Sequence, residues 1–275
     1  MAVPRRTMEE DMSESLNGAT RLYPIVGDPI AQVKSPSGVT RTLAERGHNA
    51  ICVPAHVAPG DLADFFGAMA RVRNVDGVIV TVPHKFASFA FCASTTPRAK
   101  VLRAVNSIRR NPDGSWHGDM SDGQAFVQAQ TGAGAKPRGA RALLVGAGGA
   151  GSAIGMALLE AGVRELVVHD SDAARVDRLV GVLREQGKGE VRAGTADPTG
   201  FDMVCNATPS GMREGDPLPV AADLLRPAMS VGDVITAPEV TPLLQAARAI
   251  GCRTATGVDM FRVVQGLIVD FLLDR

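Results

Sequence analysis

The chain has 275 residues, of which 45% are hydrophobic, and its 29 basic side chains balance 29 acidic ones. That length predicts two domains of ordinary size, each able to bury a sizeable core. A neutral chain without a basic stripe offers no electrostatic footing for nucleic acid or an anionic membrane surface, and no apolar run approaches the length of a membrane span.

Residues 1–19 are polar and charged, lack the apolar stretch of a secretory signal, and read as a disordered tail. Apolar runs then alternate with helical patterns. Leu22 to Val26, Ile51 to Val57 and Gly77 to Val82 read as strands; Pro36 to Arg46 and Asp61 to Arg71 read as helices between them. Such alternation predicts βαβ units and a parallel sheet, so the fold class is α/β. Val105 to Arg109 and Ser115 to Gly118, joined by Asn111-Pro112-Asp113-Gly114, predict a hairpin with its turn at Asp-Gly. A helix from Gly123 to about Gln130 leads into Thr131-Gly132-Ala133-Gly134-Ala135-Lys136-Pro137-Arg138-Gly139, small and flexible enough for a domain boundary.

Past that boundary Ala142 to Val145 predicts a strand running directly into Gly146-Ala147-Gly148-Gly149-Ala150-Gly151. A helix from Ser152 to Glu160 follows. A G-x-G-x-x-G turn between strand and helix suits a dinucleotide: the glycines let backbone approach a pyrophosphate, and the helix start supplies N–H groups and positive dipole. The strand Glu165 to Val168 is followed by Asp170, 24 positions after Gly146, where an acid is expected about 20 positions on. A carboxylate there accepts from both ribose hydroxyls of NAD and repels the 2′-phosphate of NADP. Further strands are predicted at Glu190 to Arg192, Asp202 to Asn206 and Ser230 to Ile235, and helices at Ala173 to Glu185, Pro242 to Ile250 and Met260 to Leu273. Asn206-Ala207-Thr208-Pro209-Ser210-Gly211-Met212, directly after a strand, has the short polar residues of an open sheet's mouth, or of an ordinary loop. Cys52, Cys92, Cys205 and Cys252 show no C-x-x-C pairing and the five histidines no ligand spacing, which fits a cytoplasmic chain without disulfide frame or metal.

Two segments in the first half carry chemistry. Thr81-Val82-Pro83-His84-Lys85 ends an apolar strand with a lysine able to act as acid or base, and Gly118-Asp119-Met120-Ser121-Asp122-Gly123 offers Asp122 as its partner. Taken alone, either residue is more often a solvated surface group.

In chain order, Gly27-Asp28-Pro29-Ile30 with Lys34-Ser35-Pro36, Thr81 to Lys85, Ala104-Val105-Asn106-Ser107, Gly118 to Gly123, the glycine turn, Asn206 to Met212 and Gly257-Val258-Asp259-Met260 form an ordered set. On it the chain resembles the shikimate dehydrogenase family from about Leu22 onward. The resemblance implies a substrate-binding catalytic domain over 20–130 with 258–275, mostly parallel in its sheet, and a Rossmann-type cofactor domain over 131–257. It implies reduction of 3-dehydroshikimate to shikimate, or interconversion of quinate and its ketone. Lys85 would be the proton donor and acceptor and Asp122 its partner. Ser35, Thr81, Asn106 and Gln265 would meet the substrate. Gly146 to Gly151, Asp170, Arg175, Asn206, Thr208, Pro209, Gly257 and Met260 would meet the cofactor. The partner is a small cyclic hydroxy acid, and a homodimer stays open.

The chain also departs from the family. Val33 replaces a serine of the substrate loop, Ile79 an asparagine before Thr-Val-Pro, Met120-Ser121-Asp122 an Asn-Thr-Asp, and Thr236 a tyrosine; Gln265 lies one residue further from Met260. Each lost polar contact is worth about 0.5–1.5 kcal/mol, which predicts weakened affinity for shikimate itself. NADP-preferring members carry Asn-Arg-Thr where this chain has His169-Asp170-Ser171, so the expected cofactor is NAD, with Arg175 near the adenosine. The competing reading is a dinucleotide-binding sensor or regulatory partner with little turnover; Lys85 and Asp122, which a pure binder does not need, stand against it.

Overall fold

The computed structural model describes residues 16–274. The tail expected over residues 1–19 lies mostly outside them; Asn17 to Thr20 close a turn in which the Thr20 N–H donates to the Asn17 carbonyl at 3.0 Å. The chain divides into two compact units. The first takes the residues through Thr96, Val105–Asp119 and Ile268 onward; the second takes Pro97–Ala104 and Met120–Leu267.

The first unit holds β1 (Arg21–Gly27), β2 (Ala50–His56), β3 (Gly77–Val80), β4 (Ser94–Thr95), β5 (Ser107–Arg110) and β6 (Trp116–Asp119) in the order β2-β1-β3-β5-β6-β4. Parallel pairing joins β1 to both neighbours, with Leu22 opposite Ile51 and Ile25 opposite Ile79. Successive residues Ile25 and Val26 are both buried, so the two faces of this central strand are covered. α1 (Ser35–Glu45) carries Pro36 in its first turn, where a missing N–H costs nothing, and buries Val39 and Leu43. Thr40 Oγ1 accepts the Cys52 N–H at 2.9 Å, tying α1 to β2. α2 (Leu62–Arg71) turns Leu62 and Phe66 inward, and Phe66 stacks on Phe91. The expected hairpin is present: β5 and β6 pair antiparallel, and Gly114 takes a φ of +85° that only glycine adopts cheaply in this turn. A short helix α3 (Lys85–Ser88) follows β3.

The second unit contains α4 (Pro97–Leu102), α5 (Asp122–Gly132) and a fully parallel sheet. Its strands β7 (Arg141–Val145), β8 (Glu165–His169), β9 (Glu190–Ala193), β10 (Met203–Asn206), β11 (Ser230–Asp233) and β12 (Arg253–Ala255) lie in the order β12-β11-β10-β7-β8-β9. Counted within the unit, that is 3-2-1-4-5-6, the order of a dinucleotide-binding sheet, and the direction of winding reverses between β7 and β10. α6 (Gly149–Glu160), α7 (Ala173–Arg184) and α8 (Pro242–Ile250) are the crossover helices. Leu143, Val204 and Val231 pack with Leu244 of α8 in one fully buried cluster. α9 (Gly257–Leu272) gives Gly257–Leu267 to the second unit and Ile268–Leu272 to the first. Within the first unit its end is held by an Arg46–Asp270 ion pair, and Arg109 meets Asp274 just beyond it at 2.6 Å. Neither β4 nor β12 is foreseen in the sequence, since two or three residues are too few to show a period.

Candidate active site

Each glycine of the turn after β7 does a separate job. Gly146 has a φ of +107°, and a Cβ there would lie 2.8 Å from the Ala207 backbone. At Gly151 a Cβ would lie 1.9 Å from the Gly146 carbonyl oxygen, so this glycine lets α6 pack against the turn. Gly148 has open space where a side chain would be. It starts α6 with no side-chain cap, so the first-turn N–H groups of Gly149, Ala150 and Gly151 are left for a ligand. Buried clash at one site and vacancy at the next is what a pyrophosphate cradle needs, and these residues fit a dinucleotide. Gly151→Val is expected to abolish cofactor binding and lower Tm, read by fluorescence titration and thermal melting; unchanged binding would refute the packing role.

Asp170 closes the turn from the side. Its Oδ2 accepts the Ala147 N–H at 2.7 Å and its Oδ1 the Asp172 N–H at 2.9 Å. Burial opposes ionisation, but those two N–H bonds and the nearby Arg175 outweigh it and hold the carboxyl below its ordinary value. Asp172 caps α7 by accepting from Ala174 and Arg175, and its Oδ2 also meets the Arg175 guanidinium at 3.2 Å. The cation in the first turn of α7 is therefore already engaged by a carboxylate.

Across the switch point, the loop after β10 is built on Asn206, which is fully buried. Its Oδ1 accepts from the Thr208 N–H (3.0 Å) and hydroxyl (2.7 Å), while its Nδ2 donates to Asp233 Oδ1 at 3.1 Å. Asp233, at the end of β11, also accepts from the Ile235 N–H at 3.0 Å and the Thr241 hydroxyl at 2.7 Å, and Thr241 in turn caps α8. Burial pushes the Asp233 carboxyl above its ordinary value despite these donors. This hub, missing from the sequence reading, holds the Asn206 to Met212 loop, including Thr208 and Pro209, against the neighbouring strand. The sequence carries no signal for it beyond an acid within the apolar run Ser230 to Ile235. Asp233→Ala strands several buried donors at about 1–3 kcal/mol each. It should lower Tm by several degrees and raise the KM for cofactor more than it lowers kcat.

Gly257 opens α9 where a Cβ would lie 2.3 Å from the Ile235 carbonyl oxygen. Asp259 Oδ2 accepts the Thr256 N–H at 3.0 Å, and the Thr256 hydroxyl accepts the Asp259 N–H at 3.1 Å, a reciprocal cap that fixes this start and buries Met260. Gln265 sits half-buried two turns on. Asp122 is the first residue of α5 and is buried; Gly123 beside it has no room for a Cβ, which would meet the Ala153 carbonyl at 1.9 Å.

Of the residues expected to meet the substrate, Ser35, Thr81 and Asn106 lie in the first unit together with Lys85, whereas Asp122 and Gln265 lie in the second. The Thr81 N–H donates to the Val26 carbonyl at 2.9 Å, and Thr81 Cγ2 occupies the space where a Gly27 Cβ would be. His84, almost wholly buried, donates from Nε2 to the Val57 carbonyl at 2.8 Å and so anchors the start of α3. The Lys85 carbonyl accepts the Val105 N–H at 3.0 Å. Next to it Asn106 is clamped between strands: its N–H donates to the Asp119 carbonyl and its carbonyl accepts from Val80, both at 2.8 Å. Ser35, buried, is the first residue of α1. Among the described residues no His, Cys, Asp and Glu cluster could hold a metal ion, and no helix is long and apolar enough to cross a membrane.

A model of the shikimate dehydrogenase substrate binding domain matches residues 25–108. A shikimate dehydrogenase (NADP(+)) of Rubrobacter xylanophilus is 35% identical over 97% of this chain and 92% of its own length. Among solved structures, a 5-ketofructose reductase of Gluconobacter sp. strain CHM43 is 28% identical with a TM-score of 0.81, covering 93% of this chain and 94% of its own. The shikimate 5-dehydrogenase of Listeria monocytogenes, solved with shikimate and NAD, is 26% identical with a TM-score of 0.84, covering 94% of each chain.

Proposed function

Because this chain belongs to the shikimate dehydrogenase family, we propose that it oxidises and reduces a ring carbon of shikimate, quinate or a related cyclic hydroxy acid, with NAD preferred over NADP. It is an NAD(P)-dependent dehydrogenase acting on a CH–OH group. The observation that carries the cofactor preference is the Asp170 carboxylate bonded to the glycine turn at Ala147. An ionised acid there accepts ribose hydroxyls and repels a 2′-phosphate. Arg175, the cation that could have met that phosphate, is paired with Asp172. The Rubrobacter relative carries NADP(+) in its name, and the proposed preference for NAD rests on Asp170 and Arg175 of this chain alone.

The nicotinamide, when bound, supplies or accepts the hydride. Proton handling falls to the protein. In the reduction direction Lys85 places its positive charge at the oxygen that becomes an alkoxide and gives that oxygen its proton; in the oxidation direction it takes the proton back. Asp122 orients the lysine. Ser35, Thr81, Asn106 and Gln265 bind the ring hydroxyls and carboxylate. The functional division into 20–130 with 258–275 and 131–257 belongs to the same proposal.

The sequence departs from the family pattern at Val33, Ile79, Met120 and Thr236, positions proposed to shape the choice of substrate. Ile79 is 2% exposed and faces Ile25 across the sheet, so this position is part of the apolar core. Initial rates over shikimate, quinate and other cyclic hydroxy acids test the reading. Reduction of NAD by at least one of them, with a KM for shikimate well above micromolar, is expected. A micromolar KM for shikimate would overturn the altered pocket, and no turnover of any such acid would overturn the substrate class.

A further inference from the structure

The second unit has a groove of about 310 Å³ at the edge of its sheet opposite the glycine turn. It runs under the amino ends of β7, β10, β11 and β12 and is walled by the segment that precedes β7. Lys136 and Arg138 line one side and Arg253 the other, with Asp202 as the acid among them. One oxygen of Asp202, Oδ2, accepts the Arg141 backbone N–H at 2.8 Å. Neither Lys136 nor Arg138 has an ion-pair partner among the described residues, and the Arg253 guanidinium donates at 3.3 Å to the Ala228 carbonyl and to no carboxylate. Gly134, at a φ of +93°, leaves room for the Arg253 stem to lie 3.2 Å from where its Cβ would be. Ser230 also lines the groove and is 5% exposed.

We propose that this groove binds a small multivalent anion through phosphate or carboxylate oxygens. Three cations face one acid in a chain with no net charge, so the positive surplus is local. Two guanidinium forks and an ammonium outnumber the one carboxylate, Asp202, so charged donors dominate the lining and favour a ligand rich in oxygen acceptors. The volume lies at the lower end of the range for small-ligand sites, roughly 300–1,000 Å³. Strands of three to five residues at about 3.3 Å per residue separate the groove from the cofactor crevice by roughly 10–17 Å, so both sites can be filled at once.

Calorimetric titration of the full chain with pyrophosphate and with citrate, with and without excess NAD, tests this. Saturable binding of at least one probe at one per chain is expected, with an affinity NAD leaves within about twofold. Binding of both probes would assign the shared oxygen chemistry; binding of one would assign phosphate or carboxylate. Arg138→Ala with Arg253→Ala should weaken it about tenfold or more, the loss of charged hydrogen bonds. Lys136→Ala with Arg138→Ala, confined to exposed side chains, gives the same readout if the first pair folds poorly. Arg71→Ala with Arg73→Ala, equal in charge but on the other unit, should leave affinity unchanged. Absence of binding at millimolar probe, competition by NAD, or equal loss in the Arg71 and Arg73 control would overturn the site.

Discussion

Lys85→Ala is expected to cut kcat by about 10²–10⁴-fold, the usual worth of a positioned acid–base group. The KM for the dinucleotide should stay within about twofold, because the glycine turn, Asp170 and Asn206 all belong to the second unit and Lys85 to the first. The backbone of Lys85 is held from outside its side chain, by the His84 bond to Val57 and by the Val105 N–H on its own carbonyl, so the truncation should leave α3 in place. Asp122→Asn is expected to lose a similar factor. If Asp122 works by orienting Lys85, the double variant should be little worse than either single one, since residues acting as a unit are far from additive. Full activity in Lys85→Ala would remove the proton-transfer assignment, and strictly multiplicative losses would remove the pairing.

Asp170→Asn should move the ratio of kcat/KM for NAD over that for NADP by about 100-fold toward NADP. Half of that shift, about 1.4 kcal/mol, comes from a weaker bond to the ribose and the rest from removing repulsion of a 2′-phosphate. Asparagine keeps an oxygen able to accept the Ala147 N–H, so the glycine turn should hold, whereas Asp170→Ala strands that donor and should also lower Tm. The carboxyl is held below its ordinary value in the folded chain, so its share of stability is complete above the ordinary carboxylate range and is lost as pH falls through the lower folded value. Cofactor preference should therefore be flat from about pH 5 upward. A wild-type kcat/KM for NADP equal to or above that for NAD would refute the assignment.

The parts of the molecule legible in the sequence are those where backbone conformation forces a residue type. Gly146 and Gly151 are legible as glycines because a positive φ at the first and a 1.9 Å approach at the second leave no choice of side chain. The Asn111 to Ser115 turn is legible for the same reason at Gly114. The long strands and amphipathic helices follow from period, and the α/β class from their alternation. Asp170 is legible because its spacing from the turn is set by one βαβ unit. The Asp233 hub is not: its partners Asn206 and Thr241 are 27 and eight positions away and meet only because β10 and β11 lie side by side. The same holds for the groove around Arg253 and Ser230, whose members come from four strand starts. Local chain chemistry alone determined the glycine turn, the acid that follows the next strand and the family. Sheet order, which depends on burial summed over the whole unit, decided which distant polar groups became one network, and only the tertiary structure shows it.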